Sequence, residues 1–253
     1  MTDHFRMDNQ IALVTGATSG LGRRMALVLA EQGAVVAAAG RREGLLAELV
    51  EEIAARGGKA IAVPFDASDV SSFEPTLDRI EAEIGAVNIL INNAGMSHAK
   101  RAIKTSTALY DDMMAINLRG PFFLAAEVGK RLIRRGAPGS VINIASASGL
   151  KPTPGFCVYA VSKAGIIHLT RALALEWAPH LINVNAICPG YILSGMTEAT
   201  ANQEVGLKFQ ATFPRNRIGV PADLDCIVLA LASPKNRFTT GAIIPVDDGI
   251  TAG

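Results

Sequence analysis

The chain has 253 residues, 49% of them hydrophobic, with 24 basic and 23 acidic side chains interspersed for a formal net charge of +1. That balance leaves no electrostatic footprint for nucleic acid or an anionic membrane, and the apolar runs are too short to span a bilayer. Residues 1–6 lack the basic and apolar regions of a secretory signal, so a cytoplasmic location is expected. Cys157, Cys188 and Cys226 are odd in number and have no CxxC or neighbouring His, which argues against a disulfide framework or a metal site. Cys188 and Cys226 read as buried apolar fillers.

In chain order, apolar runs at 11–14, 35–39, 60–65, 88–91, 141–145, 182–188 and 242–246 predict seven strands. Segments near 21–32, 42–56, 70–84, 107–134, 155–178 and 221–231 repeat apolar residues at helical spacing and predict the helices between them. Several runs are apolar throughout, as expected of strands covered on both faces. The alternation predicts an α/β chain: a single-domain Rossmann fold over 1–253, a doubly wound seven-stranded parallel sheet with helices on both faces. No linker, low-complexity tract or repeat interrupts it. Ligands bind such sheets at the carboxyl ends of the strands, so the residues just after each run carry the information.

After the first run comes Thr15-Gly16-Ala17-Thr18-Ser19-Gly20-Leu21-Gly22, leading straight into a helix. Gly16 permits a tight turn, Gly20 lets backbone approach a pyrophosphate, and Gly22 lets the helix pack closely on the strand. The N–H groups along Thr18, Ser19, Gly20 and Leu21, with the positive end of the helix, would face phosphates. There is no P-loop lysine, which argues against an NTPase. The second run ends Ala38-Ala39-Gly40-Arg41-Arg42 without the carboxylate that binds a ribose 2'-hydroxyl in NAD enzymes. Arg41 and Arg42 suit a 2'-phosphate instead, which predicts NADP(H) over NAD(H).

Ser146 follows the fifth run, and Tyr159 and Lys163 stand four residues apart on the next predicted helix, hence on one face. A nearby ammonium favours the phenolate, so Lys163 is expected to lower the pKa of Tyr159 and make it a proton donor and acceptor for an alcohol or ketone. Between 190 and 218 regular periodicity is lost, which predicts a substrate-binding lid. Its Tyr191, Met196, Phe209 and Phe213, with Met96, Leu150, Phe156 and Val158, suggest an apolar pocket and a hydrophobic ketone or secondary alcohol. His98 is a candidate to reach substrate, whereas His168 reads as core.

Taken together, the chain from about 10 to 249 resembles the short-chain dehydrogenase/reductase family. Thr15 to Gly22 resembles its TGxxxGxG loop, Asn92-Asn93-Ala94-Gly95 its NNAG motif, Tyr159 to Lys163 its YxxxK, and Pro189-Gly190 its PG motif. Ser146 and Asn117 match the remaining two members of its catalytic tetrad. The resemblance implies that Asp66 and Ala67 contact adenine, that Asn93, Ala94 and Gly95 line the ribose side, and that Ile192 and Ser194 hold the carboxamide. It implies that Tyr159 donates the proton, Ser146 stabilises the substrate oxygen, Lys163 also binds the ribose, and Asn117 holds a water leading to solvent. Val246-Asp247-Asp248-Gly249 departs from the family's VDGG, because Asp248 should resist a positive φ that Gly tolerates. Apolar surface on 107–134 and 155–178, including Phe122, Phe123, Leu169, Leu173 and Trp177, exceeds what one sheet face needs, and the resemblance implies a homotetramer. A 3-oxoacyl-[acyl-carrier-protein] reductase ranks below a general carbonyl reductase, since strong docking cations are incomplete. From another class, a catalytically silent dinucleotide sensor would have no need of an acid, and so of Ser146, Tyr159, Lys163 and Asn117 together.

Overall fold

The computed structural model describes residues 4–193 and 210–252. Strands β1 (Ile11–Thr15), β2 (Val35–Gly40), β3 (Lys59–Pro64), β4 (Ile89–Asn92), β5 (Gly139–Ile144), β6 (Ile182–Pro189) and β7 (Ile243–Val246) form one sheet in the order β3-β2-β1-β4-β5-β6-β7. Every pairing is parallel. The order reverses between β1 and β4, so the crevice at their carboxyl ends is where this architecture receives a ligand. All seven strands lie within two residues of the runs predicted for them.

Helices α1 (Gly20–Glu31), α2 (Glu43–Ala55) and α7 (Asp225–Ala232) cover one face, burying Met25, Leu29, Leu46, Leu49 and Val228 against Val14, Ile91 and Ile142. Helices α3 (Phe73–Ile84), α5 (Gly120–Arg135) and α6 (Cys157–Trp177) cover the other, burying Leu77, Leu124, Leu132 and Leu173 against Leu13, Leu90 and Val141. Alternate residues of a strand serve opposite faces, which is why both faces demand apolar runs. The buried guanidinium of Arg131 ties α5 to α3 through Asp78 (2.7 Å) and Glu81 (3.1 Å), and is braced within α5 by Glu127 (3.1 Å).

The single helix expected over 107–134 is three pieces. Ser106 caps α4 (Thr107–Met114) by accepting from Leu109 N–H at 3.2 Å, a π-helical turn spans Ala115–Arg119, and α5 follows, ending at Gly136 with φ 61. One widened turn does not erase a 3.6-residue apolar pattern, so periodicity could not reveal it. Other expectations are corrected by tertiary packing. Cys226 and His168 are exposed, because each falls on the outward stripe of its helix. Leu173 and Trp177 are buried, Trp177 packing over Gly129. Phe122 and Phe123, 41% and 44% exposed, remain on the surface in an edge-on pair.

Of the expected lid, Met196 and Phe209 lie outside the described residues, while Phe213 is buried with its ring centroid 5.8 Å from that of Tyr191. Asp248 adopts the left-handed conformation its side chain was expected to resist, at φ 59. Its carboxylate pairs with Arg217 (2.9 Å) and Arg215 (3.1 Å), and Asp is among the residues that enter this region most readily. Replacing Asp248 with Ala removes the ion pairs and keeps the backbone cost, whereas Gly removes both. Asp248→Gly is therefore expected to exceed Asp248→Ala in stability by about 1 kcal/mol, read from urea midpoints. Equal midpoints for the two variants would refute strain at this turn.

Candidate active site

The glycine loop after β1 is built for close approach. Gly16 and Gly20 take φ 67 and 55, and a Cβ on Gly22 would run into the Gly16 carbonyl. Thr15 Oγ uses its full hydrogen-bonding capacity: it donates to Ile91 C=O (3.2 Å) and accepts from Asn93 and Ala94 N–H (both 3.0 Å). The Asn93 amide returns the tie, donating to Thr15 C=O at 2.9 Å. Asn93 therefore spends its side chain on holding the loop, and what it can offer a ligand is backbone. Thr15 was not a sequence candidate, though its place at the head of the glycine motif was the available signal.

Arg42 folds back over this loop, its guanidinium donating to Thr18 Oγ (2.6 Å) and Ser19 Oγ (2.8 Å). Arg41 is exposed beside it and helps hold Asp66 below its ordinary pKa, after the larger effects of the Ser68 hydroxyl and N–H, which donate to Asp66 at 2.7 and 2.8 Å. Ala67 presses its carbonyl against Gly120 at the head of α5, where no Cβ could fit. Thus Thr18, Ser19, Arg41, Arg42, Asp66 and Ala67 are gathered at the carboxyl ends of β1, β2 and β3.

On the other side of the crevice, Ser146 caps the short 3-10 helix Ala147–Gly149, accepting from Ser148 N–H at 3.1 Å, and its hydroxyl also hydrogen-bonds the Tyr159 phenol. Tyr159, near the start of α6, has its pKa raised by burial, an effect that the Ser146 contact partly opposes. Lys163, one turn on, is 5% exposed, and its ammonium donates to Ile144 C=O at 2.8 Å and lies 5.8 Å from the Tyr159 ring centroid. Burial lowers its pKa to about 8, a shift that the nearby Cys188 sulfur opposes. The cationic depression of Tyr159 expected from spacing is therefore not what the site shows: burial is the largest cause acting on each group, and Lys163 is not among the causes that shift Tyr159. Cys188, at the end of β6, accepts the Ser146 N–H, and burial raises its thiol pKa to about 11.

Asn117 sits in the π turn, 1% exposed, its Oδ1 accepting from Met96 N–H (2.8 Å) and its Nδ2 donating to Met96 C=O (2.9 Å). A Cβ on Gly95 would lie 3.2 Å from Asn117 Oδ1 and 3.5 Å from Lys163 Nζ, so both groups converge on the bare backbone of Gly95. Below them runs a buried polar chain. Asn92 donates to Asn143 (3.0 Å) and Asn143 to Thr170 (2.9 Å), fastening β4 and β5 to α6. Gly190 lies against Asp247 with no room for a side chain, and Pro189 ends β6 beside Val246. Ile192 is buried and bridges to Gly219; Ser194 lies outside the described residues. A cleft of about 280 Å³ opens among Gly190, Tyr191, Ile192, Arg217, Asp223 and Asp248. Chemically, the arrangement joins a phenol to a second hydroxyl and a buried ammonium at one end of a backbone cradle with guanidinium groups at the other. Among the described residues no group of three or more His, Cys, Asp or Glu could hold a metal ion, and no helix is long and apolar enough to cross a membrane.

Residues 16–251 match the family model described as enoyl-(acyl carrier protein) reductase. A 2-dehydro-3-deoxy-D-gluconate 5-dehydrogenase of Dickeya dadantii is 36% identical over 97% of this chain and 96% of its own. A 3-oxoacyl-[acyl-carrier-protein] reductase of Staphylococcus aureus is 35% identical over 94% and 97% of the respective chains. The crystal structure of a gluconate 5-dehydrogenase from Burkholderia cenocepacia, in complex with NADP and tartrate, superposes with a TM-score of 0.94 at 30% identity, covering 99% of this chain and 98% of that one. The chain belongs to the short-chain dehydrogenase/reductase family of oxidoreductases.

Proposed function

We propose that this protein is an NADP(H)-dependent oxidoreductase that interconverts a ketone and a secondary alcohol. The observation that carries the reading is the convergence of Ser146, Tyr159, Lys163 and Asn117 on the crevice that the glycine loop closes from the other side. The cradle around Gly16 and Gly22, where a Cβ would collide, and Gly20, at a positive φ, fits a pyrophosphate, so the residues present suit a dinucleotide. Bound nicotinamide supplies or accepts hydride at the substrate carbon. Tyr159 gives its proton to the developing alkoxide, and Ser146 donates a hydrogen bond to the same oxygen. A phenol held neutral by burial stays loaded for ketone reduction, and the Lys163 ammonium stabilises the phenolate left behind. Asp66 and Ala67 would face adenine, Asn93, Ala94 and Gly95 the ribose side, and Pro189, Gly190, Ile192 and Ser194 the carboxamide end.

Arg41 and Arg42 support NADP(H). Arg42 is already anchored on Thr18 and Ser19, and no carboxylate ends β2 to repel a 2'-phosphate. Arg41→Ala combined with Arg42→Ala is expected to raise the KM for NADPH by about 10- to 100-fold and leave that for NADH within about twofold, a charge-assisted hydrogen bond being worth roughly 1.5–3 kcal/mol. Equal efficiency with both cofactors in the wild type would refute the NADP(H) preference.

For the substrate, the sugar-acid relatives favour a hydroxy or keto acid. The loops flanking the site, 96–104 and 147–156, support it, carrying His98, Lys100, Arg101, Lys104 and Lys151 and no carboxylate. The loops are joined, Lys100 N–H donating to Gly155 C=O at 2.7 Å. Half-buried Met96, Phe156 and Val158 and exposed Leu150 on the same rim favour the second reading, a hydrophobic ketone. NADP⁺ reduction with D-gluconate, set beside NADPH oxidation with cyclohexanone and with an acetoacetyl thioester, distinguishes these from an acyl-carrier-protein reductase. NADPH binding without turnover of any of them would instead favour the dinucleotide sensor. The exposed Phe122 and Phe123 on α5 suit self-association into a homotetramer, which sedimentation showing only monomer at micromolar concentration would overturn.

A further inference from the structure

We propose that Ser162 is a positioning residue, one that together with Met96 fixes the orientation of the Asn117 amide and couples the π turn to α6; the inference rests on the proton-transfer role given above to Tyr159 and Lys163. Ser162 has no exposed surface and lies between these two residues in the chain. Its Oγ donates to Tyr159 C=O at 2.7 Å and accepts from Asn117 Nδ2 at 3.0 Å. A hydroxyl has a single proton, and here it is committed to a carbonyl that can only accept. Toward Asn117 the oxygen can therefore act only as an acceptor, so the amide must present Nδ2 to it. Oδ1 is then turned to Met96 N–H and to the bare Gly95 backbone, where it stands on the same side as Lys163 Nζ. With the amide reversed, donor would meet donor at Met96 N–H, and acceptor would meet acceptor at Met96 C=O and at the Ser162 oxygen.

The same hydroxyl is also a tie between segments. Met96 anchors Asn117 to the loop after β4, and Ser162 joins it to the helix that carries Tyr159 and Lys163, across 45 residues of sequence. Without that bond α6 can shift relative to the π turn, and a misplacement of about 1 Å is enough to cost a reaction roughly 100-fold in rate. The residue bears on catalysis through Asn117 and Lys163 and touches no reacting atom itself.

The test uses the full chain, NADP⁺ and D-gluconate, with cyclohexanone and NADPH as the second pair. Ser162→Ala is expected to lower kcat about tenfold with KM changed less than twofold, and to move the pH midpoint of kcat by at least half a unit. Asn117→Ala with Ser162→Ala is expected to be no slower than Asn117→Ala alone, because the two side chains act as one unit. An unmoved midpoint, or fully multiplicative losses, would overturn the proposal and leave Ser162 a packing residue. Ser162→Thr keeps the oxygen and is expected to retain the wild-type midpoint even where stability falls; a shifted midpoint in that variant also overturns it. Should the wild type turn over neither probe, the functional reading fails, and the positional claim is still read by hydrogen exchange. The Asn117 side-chain amide should be protected in the wild type and exchange at least tenfold faster in Ser162→Ala, and equal exchange would overturn the proposal.

Discussion

Tyr159→Phe is expected to lower kcat by at least about 100-fold while leaving NADPH affinity within about twofold, since positioned acid–base groups contribute roughly 10²–10⁴ in rate. The substitution removes one hydroxyl from a half-buried ring, so packing changes little and the loss falls on proton transfer. Ser146 then keeps its Ser148 contact and loses its phenol partner. The burial that raises the phenol pKa sets the direction of the pH dependence in the wild type. Tyr159 stays protonated through neutral pH, so ketone reduction is sustained at low and neutral pH. It should decline as Lys163 loses its charge near pH 8 and the phenolate loses that support. Near-normal turnover in Tyr159→Phe would remove the phenol from the reaction, and a reduction rate that climbs above pH 8 would remove the ammonium.

Lys163→Met is expected to do two opposite things. Activity should fall by about 100-fold or more, because the phenolate left on Tyr159 loses its cation. Stability at pH 7 should rise by about 1–2 kcal/mol. Each unit of pKa displacement corresponds to about 1.4 kcal/mol, and removing a buried ammonium recovers more than the lost bond to the Ile144 carbonyl costs. The sign follows from linkage. Burial lowers the folded-state pKa from 10.5 to about 8, so between those values the unfolded chain holds more protons and the wild type gains stability as pH rises. Cys188 acts in the other direction above pH 9, its folded pKa being raised from 9.0 to about 11. The informative quantity is thus the difference between wild type and Lys163→Met in urea midpoints, which should shrink from pH 7 to pH 9. A variant less stable than wild type at pH 7, with a constant difference, would show that the ammonium is not strained by burial.

How much of this was legible varies by element. The seven strands and the glycine loop were, because apolar runs and glycine spacing are local statements about faces and turns. Arg41 and Arg42 were legible as cations at the end of β2, but not that Arg42 would be docked on Thr18 and Ser19 from a different βα connection. The π turn was hidden because 107–134 keeps helical periodicity through it, and only the inward position of Asn117 exposes the extra residue. Trp177 looked like surplus surface because no local pattern reveals that Gly129, on another helix, leaves a slot for its ring.

By itself the sequence determined the sheet, the order in which the site's parts meet the crevice, and the identity of the groups brought there, all of which follow from periodicity and short spacings along one chain. Tertiary structure alone decided which effect governs the Tyr159 and Lys163 pKa values, how the Asn117 amide is turned, and that Asp248 enters a left-handed conformation with Arg215 and Arg217 beside it. The reason is physical: desolvation and hydrogen-bond closure depend on neighbours many residues away, such as Ile144 for Lys163 and Ser162 for Asn117, and no local pattern encodes their distance.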